Sequence, residues 1–185
     1  MEAGEKAMAD ANQGWRVDDA IRVAKATAEL DYILEQPCKT YEECQQVRRL
    51  AQQPMKLDEC VTGMAAAQRI VADRGAEICC LKISNLGGLS KARRVRDFLV
   101  DNRIPVVAED TWGGEIASTT LAHFAASTPA DFLQNTTDLM NYNTRSTGIG
   151  GAYAKGGKLY APDAAGLGVA PDFESLGAPV AEYAA

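Results

Sequence analysis

Histidine is nearly missing from this chain: His123 stands alone among 185 residues, so it cannot assemble a histidine-based metal site by itself. The five cysteines, at 38, 44, 60, 79 and 80, are an odd number without zinc-type spacing, which argues against a disulfide framework. No apolar run approaches the roughly 20 residues that span a bilayer, and MEAGEKAMAD lacks the apolar core of a signal peptide, so the expected compartment is the cytoplasm and no membrane partner is expected. Lysine and arginine are scattered, the net charge is -6 and there is no polybasic tail, all of which argue against a nucleic-acid surface. The glycine fingerprint GxGxxG is absent after the first apolar run, and the glycine-rich end carries no GK[ST], so dinucleotide and phosphate-loop readings lose their support.

What is present is alternation. Short apolar runs suited to strands, at 6–10, 32–35, 55–58, 78–83, 104–110 and 131–135, are separated by segments of helical period at 17–30, 41–53, 63–74, 90–102 and 114–127. Parallel neighbours need a crossover, and a helix is the usual one, so strict alternation predicts βα units in a barrel or an open α/β sheet. A leucine-rich solenoid is excluded by the missing LxxLxL pattern. Cys79 and Cys80, adjacent in an apolar run, are predicted to face opposite ways as small hydrophobes, and His123 to serve packing or a hydrogen bond. From about Asn143 the texture turns to glycine and proline, which reads as turns and short extended pieces. The predicted division is a partial barrel over 1–142 and a tail over 143–185.

The strand ends carry the chemistry. Asp10 ends the first predicted strand, Glu35 the second and Asp58 the third, and Lys82 lies one residue before the end of the fourth, at separations of 25, 23 and 24. In a barrel such positions converge on one mouth, where active sites are built. Three converging anions need a compensating cation, and an all-oxygen donor set favours Mg²⁺, with Mn²⁺ as a substitute. Glu59 and Asn12 stand close enough in sequence to add outer ligands or simply to cap loops. Lys82, in register with the acids, is the candidate acid/base group.

Together DANQGW, ILEQPC, KLDEC and LKISNLGGLSKA resemble the enolase superfamily, in its muconate-lactonizing subgroup, and the resemblance extends to GKLYAPDAAGLGV. It implies that Asp10, Glu35 and Asp58 bind Mg²⁺, that Lys82 is one of two acid/base groups, and that the fold is the C-terminal portion, about six βα units, of a modified TIM (β/α)8 barrel without its capping domain. The partner lysine of that family sits on a KxK element, and no KxK occurs here. The chain is therefore expected to be the C-terminal half of a longer enzyme, whether truncated or a natural fragment. The stretches VVAEDTWGGEIAS and FLQNTTDLMNYN are similar to cis-3-hydroxy-L-proline dehydratases and hydroxyproline-betaine epimerases. That similarity implies proton abstraction α to a carboxylate through an enediolate, a small proline-type substrate, and Asp110 near its ammonium, while Trp112 is, as an aromatic, a candidate to face the cationic ring. Capping of the next helix by Asp110 and rim packing by Trp112 are the ordinary alternatives. Two other functions stay open: epimerisation, and a non-catalytic half-barrel acting as an assembly module. Six strands with open edges predict a homo-oligomer.

Overall fold

A computed structural model of the chain describes residues 6–110 and 112–183. These fall into two compact units, one ending at Val107 and the other beginning at Ala108. The first contains β1 (Ala7–Asp10), α1 (Val17–Ala26), β2 (Tyr32–Glu35), α2 (Tyr41–Arg48), β3 (Met55–Leu57), α3 (Met64–Asp73), β4 (Ile78–Lys82) and α4 (Leu89–Asp101), and β5 (Val106–Glu109) begins in it. Strands β1 to β6 follow one another in sequence order in one sheet. The pairs β1–β2, β2–β3 and β3–β4 are parallel, with Asp10 opposite Glu35, Glu35 opposite Lys56 and Leu57 opposite Cys79.

Register and the two-residue period of a strand decide which side chains share a face. Leu34, Met55, Leu57, Cys79 and Leu81 fall on one face and are fully buried. On the other face Ile33, Ile78, Cys80 and Val107 form an apolar cluster. Glu35, Lys56 and Lys82 share that second face by the same alternation. Polar groups therefore sit at strand ends directly above an apolar floor.

Two helices are shorter than their hydrophobic pattern predicts. Helix α1 stops at Ala26, where Thr27 turns its hydroxyl back to the Val23 carbonyl at 2.8 Å. Helix α2 opens with a capping box, Thr40 with Glu43, and stops at Arg48 rather than near Gln53. Gln53 is buried instead, its Nε2 donating to the Ala24 and Thr27 carbonyls at the end of α1. The free carbonyls of one helix thus recruit the chain that would have extended the next.

The second unit holds α5 (Glu115–Ala126), β6 (Leu133–Thr136), the short strands β7 (Gly148–Gly150), β8 (Tyr153–Lys155), β9 (Lys158–Tyr160) and β10 (Val169–Pro171), and α6 (Phe173–Leu176). The predicted strand 131–135 begins two residues late, because Ala130–Phe132 form a 3-10 turn closed on the Pro129 carbonyl. The hairpin β8–β9 turns through Gly156 and Gly157, both at positive φ. His123 Nε2 lies 3.0 Å from the Leu167 carbonyl, the hydrogen-bonded setting expected of it. Among the described residues no helix is long and apolar enough to cross a membrane.

Candidate metal centre

The ends of β2, β3 and β4 bring four charged side chains together. Glu35 closes β2 and is 3% exposed. Across the ladder Lys56, equally buried, places its Nζ 2.7 Å from Glu35 Oε1. Asp58 lies one residue past β3, so the strand is one residue shorter than its sequence pattern predicts, and the carboxylate is 4% exposed. Lys82 ends β4 and donates from Nζ to Asp58 Oδ2 at 2.5 Å. Its side chain is 16% exposed, the most open of the four. Cys80, two residues earlier on the same face, completes a cluster in which one ligand atom each from Glu35, Asp58 and Cys80 lies within 4.8 Å of the others.

Asp10 stands at the rim. It is opposite Glu35 in register, and its negative charge helps to push the Glu35 carboxyl up, but it is exposed and lies outside the tight cluster. Its Oδ1 accepts the backbone N–H of Asn12 at 2.8 Å, so Asn12 contributes a turn here through its main chain. Two carboxylates and a thiol thus form the tight cluster, and Asp10 neighbours it through its pairing with Glu35. Glu59 is half-buried, and its Oε2 finds no hydrogen-bond donor.

The donor set suits a divalent cation. Asp58 Oδ1 is buried without a hydrogen-bond donor, whereas Oδ2 is occupied by Lys82, so one acceptor of a buried acid is left unsatisfied. A carboxylate oxygen in that state is costly unless a positive charge meets it. Burial raises the Glu35 carboxyl to about 7, against the lowering effect of Lys56, with Asp10 and Asp58 adding to the rise. Glu35, Asp58 and, from the rim, Asp10 are the residues that would hold Mg²⁺.

Gln36 braces the cluster and was not singled out by the sequence reading. Fully buried and at φ 29°, it accepts the Asp58 N–H at Oε1 (3.0 Å) and the Cys60 N–H (3.4 Å), while Nε2 donates to the Cys38 carbonyl at 3.0 Å. The loop that carries Asp58 is thereby tied to the end of β2. Lys56 was likewise not singled out, and Cys80 was read only as a small hydrophobe. A lysine inside an otherwise apolar three-residue strand was the available signal for the first, and the two-residue spacing of Cys80 from Lys82 for the second.

Asp110 and Trp112 belong to the second unit. Asp110 follows β5 and is partly buried. Trp112 is exposed and meets Tyr142 edge to face at a centroid distance of 4.6 Å, a pairing that sequence spacing does not reveal.

Residues 1–176 match the family model described as enolase C-terminal domain-like, of the mandelate racemase and muconate-lactonizing type. The chain belongs to the enolase superfamily. A cis-3-hydroxy-L-proline dehydratase of Roseibium aggregatum is 42% identical over 176 residues, covering 95% of this chain and 48% of that enzyme. A mandelate racemase/muconate lactonizing enzyme from Roseovarius nubinhibens ISM superposes with a TM-score of 0.98 at 78% identity, covering all of this chain and 50% of that one. A second superfamily member from the same organism, solved as a magnesium complex, gives a TM-score of 0.93 at 33% identity, over 99% of this chain and 50% of that one. The chain spans about half the length of these relatives. The fold is accordingly an α/β half-barrel of six parallel strands, equivalent to the C-terminal half of those structures.

Proposed function

We propose that this chain supplies the metal-binding half of a Mg²⁺-dependent enzyme that removes the proton α to a carboxylate, most specifically in the dehydration of cis-3-hydroxy-L-proline. The observation that carries the reading is the Glu35–Asp58–Lys82 constellation: two buried acids at successive strand ends with an amine 2.5 Å from one of them at the more open side. Similarity to a dehydratase at 42% identity over 95% of the chain supports the substrate class. A bound Mg²⁺ would supply Lewis acidity to the negative charge that develops on the substrate carboxylate. Lys82 is the catalytic residue in this reading. As the free amine it takes the α-proton at Nζ, and Asp58 holds that nitrogen in place. Loss of the β-hydroxyl as water then yields an enamine that tautomerises to a cyclic imine. Asp110 is proposed to contact the substrate ammonium, by similarity to the same enzyme group, and Trp112 to face the cationic ring.

The test is α-proton exchange in deuterated solvent, followed by NMR with stereochemically resolved substrate in the complete protein. Lys82→Met is expected to abolish exchange from one face, a loss of at least about 10³-fold, while calorimetric Mg²⁺ binding persists. Exchange at the wild-type rate from that face would rule out Lys82 as the acid/base group. The product separates the readings further: an α,β-eliminated product marks a dehydratase, and an inverted centre with the hydroxyl retained marks an epimerase.

A further inference from the structure

We propose that Lys56 is a positioning residue: a resident cation that neutralises Glu35 and fixes its carboxylate, so that the metal-binding acids keep their arrangement whether or not a metal is bound. The proposal rests on the reading of Glu35 and Asp58 as metal ligands. Lys56 Nζ lies 2.7 Å from Glu35 Oε1, and neither side chain is more than 4% exposed. The two residues are direct partners in the β2–β3 ladder, so the pair is set by register rather than by a flexible reach across the pocket. On its other side Lys56 faces Ile78 in register, and its Nζ approaches Met8 Sδ at 3.5 Å.

A charge in such a place is unfavourable unless paired, and a methionine of similar length would fill the space without desolvation. What the lysine adds is therefore charge. Glu35 and Asp58 sit close together in a buried cluster, where two anions repel each other strongly. Lys56 offsets the charge of Glu35 as Lys82 offsets that of Asp58, which leaves Asp58 Oδ1 as the unsatisfied oxygen.

The test compares thermal melting of the intact wild-type protein with Lys56→Met, each in chelator and in saturating Mg²⁺. In chelator at pH 8, where Glu35 is ionised in the wild type, the variant is expected to melt about 10 °C lower, because the loss of Lys56 leaves a buried carboxylate without its counter-charge. Saturating Mg²⁺ should return most of that loss, so that the metal-induced shift in the variant is at least twice the wild-type shift. An equal deficit with and without Mg²⁺ would reduce Lys56 to packing and overturn the proposal, as would a variant that melts with the wild type in chelator. Should Lys56→Met fail to fold, the Glu35→Gln/Lys56→Met double variant decides, because both charges leave together: it is expected to fold and to melt near the wild type in chelator, and a double variant that also fails to fold overturns the proposal. A wild type that takes up no Mg²⁺ in calorimetry overturns the metal reading and this proposal with it. That pattern is distinct from a wild type that binds metal while Lys56→Met melts equally low in both conditions.

Discussion

A carboxyl group that is 3% exposed loses the hydration that favours its anion, and at Glu35 this outweighs even a lysine at 2.7 Å, leaving the group at about 7 in place of 4.5. Between those two values the folded protein keeps a proton that the unfolded chain has released. The contribution of Glu35 to stability therefore falls as pH rises from about 4.5 to about 7, and the cost is fully present above that window. The full span corresponds to about 3 kcal/mol. Glu35→Gln should remove most of this slope, so that urea denaturation in chelator at pH 5 and pH 8 gives a smaller stability difference for the variant than for the wild type. An unchanged slope would show that Glu35 titrates at its ordinary value. Because a bound cation favours the carboxylate, Mg²⁺ should stabilise the wild type more at pH 8 than at pH 5.5.

At the scale of elements, the loop after β3 owes its shape to one side chain from the loop after β2. Gln36 satisfies the Asp58 and Cys60 N–H groups and the Cys38 carbonyl from a fully buried position. Gln36→Ala would leave those backbone groups orphaned in the interior, at a cost of about 2–4 kcal/mol, and would free the loop that aims Asp58. Urea denaturation should register the stability loss, and calorimetry a weaker Mg²⁺ affinity. Full metal affinity in a destabilised variant would mean that the brace serves the fold alone. The order of elements was legible in the sequence because apolar runs and helical period alternate without interruption. The strand-end acids were legible because βα units of near-constant length bring them back every 23 to 25 residues. The ends of elements were not, since α1 stops where the Thr27 hydroxyl turns back to Val23, and the chain after Arg48 leaves the helix and brings Gln53 to the carbonyls of α1, a tertiary event with no local signature. Lys56 stayed hidden for a related reason: register, not sequence spacing, sets which residues of neighbouring strands face one another.

For the molecule as a whole, β1 is the first strand of its sheet and pairs only with β2 among the described residues. A parallel edge strand presents one row of unsatisfied N–H and C=O groups, and Met8 within β1 is also exposed. In the relatives that this chain matches, it accounts for about half of the length, so their corresponding strand has further chain available to cover it. The 185-residue polypeptide by itself is therefore predicted to self-associate through β1. Sedimentation should show dimers or larger species, and the β1 amides directed away from β2 should gain hydrogen-exchange protection as concentration rises. A compact monomer whose β1 amides are protected at every concentration would show that the edge is already covered within the chain itself, and the association prediction would fall.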